Sequence, residues 1–374
     1  MLAVNSDVEF TTWPAQLDLI ESAGRFGVEV SFSYWTFADR NLTWSVFDDD
    51  NKLSPEAPAA FALMRAGLID TLHSYGGITD GRGVAFDRKR IEMALHVLRE
   101  EGVATRIYSN HGTIHDLQNV GGSFAYYQQG DVVGHPMYHL DLSTDYGLKF
   151  YWTDVDYDNE ESFFSINPGS KRPPLLMTQV SRDGTPIIRF RRFRGPLPKA
   201  PDAESFGVQV LDLVLRNKIE GYSIVYQHLG VHRTPNGKPF SARNPYYPPR
   251  SIEAWERLAD LHRSGAVLVT TTERLLLHAA LMTSKSWTIE WSAANACSIK
   301  FNSMIDVGGV KLRLLEKDLA GWALSVNAST DAVAYLDGKK LDIKRFSVGT
   351  KSYVGFPWRS IPTLEALEHA RSAA

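Results

Sequence analysis

The stretch Leu2-Ala3-Val4-Asn5-Ser6-Asp7-Val8-Glu9 begins with an apolar run and ends in two acids. The apolar run predicts a first β-strand, and side chains two residues apart on a strand point the same way. Asp7 and Glu9 are therefore expected to share one face at the mouth of that strand. An acid pair in this position can hold a divalent metal and take a proton from a water on it.

Three later predicted strands each deliver an imidazole at the carboxyl end. They cover residues 68–72, 104–109 and 222–226 and lead to His73, His111 and His228 in turn. The carboxyl ends of strands are where barrels and open α/β sheets build their active sites. The sequence therefore predicts a mononuclear metal site made by Asp7, Glu9, His73 and one further histidine.

Strand-like and helix-like segments alternate through the first two-thirds of the chain, which is the pattern of an α/β fold. Helices between successive strands imply a parallel, wound sheet, and we expect a (β/α) barrel, closed or partly open, with a distorted or seven-stranded form as alternatives. The predicted segments include strands over 28–32 and 186–193 and helices over 87–101 and 205–215. After about Thr283 the helical period is replaced by short strands with turn residues between them. We therefore expect a barrel over residues 1–283 and a small antiparallel β module with a C-terminal helix over 284–374.

Composition limits the partners. The 374 residues are 44% hydrophobic with a net charge of -3, which supports a full core and argues against a general affinity for nucleic acid or anionic membrane. No apolar run approaches the roughly 20 residues that span a bilayer, and no signal-peptide pattern opens the chain, so we expect a cytoplasmic protein. Cys297 is the only cysteine and is expected to be buried and inert. Any metal must then be held by His, Asp and Glu, which suits Zn or another divalent first-row ion.

Asp7-Val8-Glu9, His73-Ser74-Tyr75 and His228 resemble, in order, the motifs of the polysaccharide deacetylase family, the NodB-homology carbohydrate esterases. The likeness covers roughly residues 1 to 280. It implies removal of an N- or O-acyl group from a sugar by a metal-dependent hydrolase, in the assembly of surface polysaccharide or another glycan. It also implies that Asp7 is the general base, Glu9 and His73 are metal ligands, and His228 is the general acid.

One position departs from the family motif. The family has a second histidine four residues after the first, where this chain has Gly77. His111 is the first choice as a substitute ligand, because it ends a predicted strand and precedes a glycine that permits close approach of the backbone. His115 is the second choice, with contact to the substrate as its alternative role. If neither reaches the metal, the site is weak, uses a water ligand or is empty.

Further residues are predicted to bind substrate. Tyr75 either donates a hydrogen bond to an oxyanion or packs. Arg189 and Arg191 alternate onto one face of a strand, and Arg192 and Arg194 onto the other. This run of arginines either is solvated or binds an anionic sugar, a uronate or a phosphate. The expected partner is thus a carbohydrate, anionic in the second case, and the sequence does not predict an oligomeric state.

Two other functions fit the same residues. A glycoside hydrolase needs two carboxylates that flank the glycosidic oxygen. Asp7 and Glu9 stand too close together to do this unaided, so Asp154 or another acid would have to be the partner. Alternatively, the missing motif histidine fits a barrel that has lost catalysis and binds a glycan.

Overall fold

The structure is a computed structural model that describes residues 1–38, 43–48, 50–76, 87–111, 116–121, 128–153, 174–194, 211–212, 215, 221–233, 239–241 and 249–373. The helices of this part of the chain are Trp13–Phe26 (α1), Ala57–Ala66 (α2), Arg88–Glu100 (α3), Leu140–Tyr146 (α4), Pro249–Arg263 (α5), Thr272–Ser284 (α6) and Thr363–Ala373 (α7). The first strands are Leu2–Ser6 (β1), Ser31–Tyr34 (β2), Ile69–His73 (β3), Ile107–Ser109 (β4), Phe150–Trp152 (β5), Leu176–Val180 (β6), Pro186–Phe190 (β7), Phe193–Arg194 (β8), Ser223–Gln227 (β9), Val231–Arg233 (β10), Pro239–Ser241 (β11) and Val269–Thr270 (β12).

Ten of the described strands form one sheet, in the order β6-β7-β5-β4-β3-β2-β1-β9-β8, with β12 also paired to β1. Every pair in this sheet is parallel except β6 with β7. Every residue of β1, β3 and β9 is buried, as expected for parallel strands that are covered on both faces. The alternation of strands and helices predicted from the sequence is therefore present, and the fold is mixed α/β.

Local sequence signals account for the start of α3 and the end of α1. The Asp87 side chain accepts a hydrogen bond from the backbone N–H of Arg90 and caps α3, whose buried face includes Ile91, Leu95 and Leu98. Helix α1 ends at Gly27, whose φ of 74° places it in the left-handed region that glycine adopts without strain. None of the described helices is long and apolar enough to cross a membrane.

The strand predicted over 186–193 is interrupted in the structure. Only Arg191 and Arg192 separate β7 from β8, and the two pieces pair at distant places in the sheet order, β7 with β5 and β8 with β9. The pairings among the described residues do not form a closed ring of strands. Among the described residues the structure thus shows a largely parallel sheet with helices, and the predicted barrel stays a prediction.

Other predicted boundaries shift by a few residues. The second strand, predicted over 28–32, covers Ser31–Tyr34, because its pairing with β1 begins only at Ser31. Val28 and Val30 are buried in the connection that precedes it. The helix predicted over 205–215 lies largely outside the described residues. Gly77, His115 and Asp154 also lie outside them.

The C-terminal unit covers residues 276–360. Its strands are Trp287–Ala293 (β13), Ala296–Phe301 (β14), Met304–Val307 (β15), Val310–Arg313 (β16), Ala323–Val326 (β17), Asp331–Leu336 (β18), Lys339–Leu341 (β19), Lys344–Val348 (β20) and Lys351–Gly355 (β21). Their pairings are antiparallel except that of β14 with β18, so the predicted antiparallel β module is present. Phe301 and Trp322 meet edge to face in its core at 4.9 Å between ring centroids. Cys297 is buried there as predicted, and burial raises the pKa of its thiol.

The last helix does not belong to this module, although the sequence division at 283 had placed it there. Residues 361–374 group with residues 1–275, because α7 packs on α1 and α2. Gly24 of α1 makes this approach possible, since a Cβ at that position would lie 2.8 Å from Cδ2 of Leu364. Leu367 and Ala370 of α7 are buried. The first unit therefore takes part of its core from the end of the chain.

Candidate metal centre

The predicted acids and histidines lie at one edge of the sheet. His73 is the last residue of β3, while Glu9, His111 and His228 follow β1, β4 and β9 within three residues. These strands are parallel and either adjacent or joined through β2, so their carboxyl ends meet at the same edge. The buried, largely apolar strands thus fix the backbone positions from which these side chains project.

Glu9 is the centre of the cluster. Its Oε1 lies 2.7 Å from Nε2 of His73 and 3.3 Å from Nε2 of His111. Its Oε2 lies 3.4 Å from Nε2 of His228. Glu9 and His73 are buried, and the side chains of His111 and His228 are only 11% and 12% exposed. Three imidazoles therefore face one carboxylate in a nearly closed site.

The charges of neighbouring side chains shift the pKa values of Glu9 and His111. Burial raises the pKa of the Glu9 carboxyl, but the imidazoles of His73, His228 and His111 outweigh burial and hold that pKa well below its usual range. Burial lowers the pKa of His111, but the carboxylates of Asp116 and Glu9 outweigh it and raise that pKa well above its usual value. Positive charge placed between these side chains is thus strongly favoured, whether a proton or a metal ion carries it.

The two inner histidines are also held on their far sides. Nδ1 of His73 lies 3.1 Å from Oγ of Ser109, and Nδ1 of His111 contacts Oδ2 of Asp116 at short range. The Trp35 ring, at the end of β2, stacks on His73 and meets His111 edge-on, at 6.0 and 5.5 Å between ring centroids. Both rings are therefore oriented with Nε2 toward Glu9.

Asp7, the general base that the resemblance implies, is held by an arginine. Arg192 donates to both of its oxygens, from Nη1 at 2.7 Å and from Nη2 at 2.8 Å, and both side chains are buried. The guanidinium also lies 3.9 Å from the ring centroids of Trp152 and Tyr226, which adds cation–π attraction. Nη2 of Arg192 also donates to Ser109, the hydroxyl that contacts His73. Asp7 is thus locked in orientation and connected to the histidine cluster.

Within the part of the chain that the structure describes, two groups of side chains could hold a metal ion. One consists of Glu9, His73 and His111, the other of Asp7, Glu9 and His228, and within each group the ligand atoms lie within 4.8 Å of one another. Carboxylate oxygen and neutral imidazole nitrogen are donors that Zn²⁺ accepts at about 2.0–2.2 Å. The first group fits an ion better, because Arg192 already occupies both oxygens of Asp7 and places a positive charge beside them.

Comparison of the chain with protein-family models, with curated proteins and with solved structures finds no match.

Other predicted site residues lie elsewhere. The Tyr75 hydroxyl lies 2.7 Å from Oγ of Ser143 in α4, and its ring packs against His139. Burial raises the pKa of Tyr75 far above its usual range. Both contacts support the packing alternative. Arg189 and Arg191 are half-buried beside the break between β7 and β8.

Two members of the site were not predicted from the sequence. Arg192 was assigned only to the opposite face of a basic strand, yet its side chain is 1% exposed and pairs with an acid 185 positions away. Asp116 was not singled out at all. One signal for Arg192 was its place two residues after β7, a strand whose carboxyl end lies at the same edge of the sheet as Asp7. The signal for Asp116 was its position five residues after His111.

Proposed function

We propose that this protein is a metal-dependent hydrolase that removes an acyl group from a sugar. The observation that carries the proposal is the convergence of Nε2 of His73 and Nε2 of His111 on one buried oxygen of Glu9. These three side chains are the proposed ligands, and Zn²⁺ is the proposed ion. When bound, the ion supplies a Lewis acid for the acyl carbonyl and lowers the pKa of water.

Two further side chains carry the proton transfers. Asp7 takes a proton from the attacking water as the water oxygen bonds to the acyl carbon, and Arg192 keeps the carboxylate turned in one direction. His228 lies on the Oε2 side of Glu9. It gives a proton to the amine or alcohol that leaves as the C–N or C–O bond breaks. Base and acid thus flank the same carboxylate.

The closed barrel also belongs to this proposal. If β7 and β8 act as one interrupted strand, the segment 186–194 joins β5 to β9 and closes the sheet. The short break of two residues between them supports this. Closure through this segment explains why Arg192 reaches Asp7, since the break lies at the edge of the sheet that carries the histidines.

The sugar and the acyl group rest on the motif resemblance. Asp7, Glu9, His73 and His228 stand in the order that the polysaccharide deacetylases use, and His111 takes the place of the histidine absent at Gly77. An acylated sugar of surface polysaccharide biosynthesis is the corresponding substrate class. The proposal of an anionic sugar depends on the sequence alone.

One observation argues against a glycoside hydrolase based on the two acids of β1. A glycoside hydrolase needs two carboxyl groups that flank the glycosidic oxygen, whereas both oxygens of Asp7 already accept hydrogen bonds from Arg192. Acyl transfer to water needs only one of these carboxylates as a base and the other as a ligand, which the geometry supports.

The test is release of acetate from acetylated sugars by the wild type and by Asp7→Asn. We expect the variant to retain zinc and to lose turnover by about 10²-fold or more, because the metal ligands are unchanged and the base is absent. Asp131→Asn is the control, since Asp131 is an equally buried acid that pairs with Arg182.

Three results would contradict this proposal or favour another function. Full activity of Asp7→Asn would contradict the role of Asp7. Release of reducing sugar in place of acetate would favour a glycoside hydrolase. Glycan binding without turnover, unchanged when Asp7 and His73 are both replaced, would favour a binding protein.

A further inference from the structure

The strongest feature outside the proposed ligands is the short segment 116–119, which holds His111 at three points. Asp116 contacts Nδ1 of the ring. The Asn119 side chain accepts from the backbone N–H of His111 at 3.0 Å and donates to its carbonyl oxygen at 2.6 Å. Asp116 and Asn119 are fully buried. Both the backbone and the ring of His111 are thus fixed by one segment.

The segment is itself held in place from the opposite side. The Asn110 side chain accepts from the N–H of Val120 at 2.9 Å and donates to its carbonyl oxygen at 2.8 Å. Nε2 of Gln118 donates to the carbonyl oxygen of Gly76 at 2.8 Å and lies 3.3 Å from Oδ1 of Asp116. The carbonyl oxygen of Gln118 is contacted by Nε2 of His139 at 2.6 Å. Asp116 is therefore presented to His111 by a rigid support, as precise metal sites require.

The contact at Nδ1 decides which nitrogen of His111 is free to bind. A carboxylate accepts, so in the neutral imidazole the hydrogen resides on Nδ1, and the lone pair of Nε2 faces Glu9. We propose that segment 116–119 is a ligand clamp, and that Asp116 is the positioning residue that makes His111 a metal ligand. This inference rests on the proposed metal-dependent function.

A purely structural role for Asp116 predicts something different. A buried acid that only anchors the segment would affect the stability of the fold, and Asn in its place would leave zinc affinity unchanged. A positioning role predicts that loss of the carboxylate weakens the metal site itself, because outer partners of ligating histidines typically contribute about 10–100-fold in metal affinity. Metal affinity and tautomer therefore separate the two roles.

The first experiment measures zinc affinity by competition with a chelator for the wild type, Asp116→Asn and Asp131→Asn. We expect affinity to fall about 10–100-fold in Asp116→Asn and to stay at the wild-type value in Asp131→Asn. We also expect Asp116→Asn to have no further effect once His111 is replaced by Ala, because the two residues act as one unit. Cobalt-substituted wild type and Asp116→Asn should differ in their visible absorption, which reports the ligand geometry.

A second measurement needs no change at Asp116. Imidazole ¹⁵N spectra of the zinc-loaded wild type, with the His111 signal assigned by its loss in His111→Ala, should show a hydrogen on Nδ1 and none on Nε2. A hydrogen on Nε2 would overturn the inference, as would unchanged zinc affinity and cobalt spectra in Asp116→Asn. If Asp116→Asn binds zinc as the wild type does, while His111→Ala loses zinc, the clamp is wrong and the hydrolase proposal stands. If the wild type binds no zinc, both are wrong.

Discussion

At the scale of single residues, the site combines two buried acids that have opposite surroundings. Glu9 faces three imidazoles, while Asp7 faces the guanidinium of Arg192. The first arrangement leaves an acceptor for a metal ion, and the second fixes a carboxylate beside it. The two acids lie only two positions apart and both are carboxylates. Their different partners are the basis for proposing different roles for them, a metal ligand for Glu9 and a base for Asp7.

Arg192 is expected to be important for stability as well as for orientation. Arg192→Met would leave Asp7 as a buried carboxylate without its ionic partner, and such losses typically cost about 3–5 kcal/mol. Arg88→Met is a matched control, because Arg88 also pairs with an acid, Asp141, but with side chains that are 33% and 43% exposed. We expect the control to cost under about 1 kcal/mol. Urea unfolding measures both, and equal losses would contradict the buried pair.

At the scale of elements, the first turn of α6 meets an acid from the sheet. Asp70 of β3 accepts hydrogen bonds from the backbone N–H of Glu273 at 2.9 Å and from the hydroxyls of Ser31 at 3.0 Å and Thr71 at 2.9 Å. The N-terminus of a helix favours negative charge. Burial nevertheless dominates and raises the pKa of Asp70 from 3.8 to about 6.

This shift predicts how stability depends on pH. Between pH 3.8 and about 6 the folded protein holds a proton on Asp70 that the unfolded chain has lost. The contribution of Asp70 therefore falls as pH rises through this window, by about 3 kcal/mol in all. Asp70→Asn keeps a hydrogen-bond acceptor but cannot ionise. The free energy of unfolding of this variant, minus that of the wild type, should therefore increase as pH rises. A constant difference, measured by urea unfolding at several pH values, would contradict the assignment.

Helix α7 provides the second prediction at this scale. Leu367→Ala should destabilise the first unit by about 2–5 kcal/mol, because it removes a buried side chain from the contact with α1 and α2. Leu364→Ala is the control, since that leucine is 42% exposed, and its cost should be smaller. Thermal unfolding reports both. Equal and small effects would show that α7 does not complete this core.

At the scale of the whole molecule, the sequence predicted those features that depend on local pattern. Apolar runs that end in Asp7, His73 and His228 indicated both the strands and the edge where they meet. The C-terminal module was predicted from turn residues and the loss of the helical period. Apolar runs and turn residues depend on whether a segment is buried or exposed. They can therefore be recognised in the sequence without knowing which elements are neighbours.

The rest depends on distant contacts that no local pattern encodes. The pair of Asp7 and Arg192 spans 185 positions, and an arginine in a basic run carries no sign of its partner. Helix α7 follows the β module in the chain but packs on the first unit. Asp116 contacts the His111 ring in the folded chain, but no sequence pattern pairs the two residues. Such features require the assembled fold.

Glu9, His73 and His111 are proposed to hold one metal ion. The most direct measurement is the zinc content of the purified wild type and of His73→Ala and His111→Ala, with His96→Ala as a control because His96 is exposed on α3. We predict about one zinc per chain in the wild type and the control, and loss of zinc from both ligand variants. Absence of zinc from the wild type after zinc is supplied at neutral pH, or full retention by either ligand variant, would contradict the account.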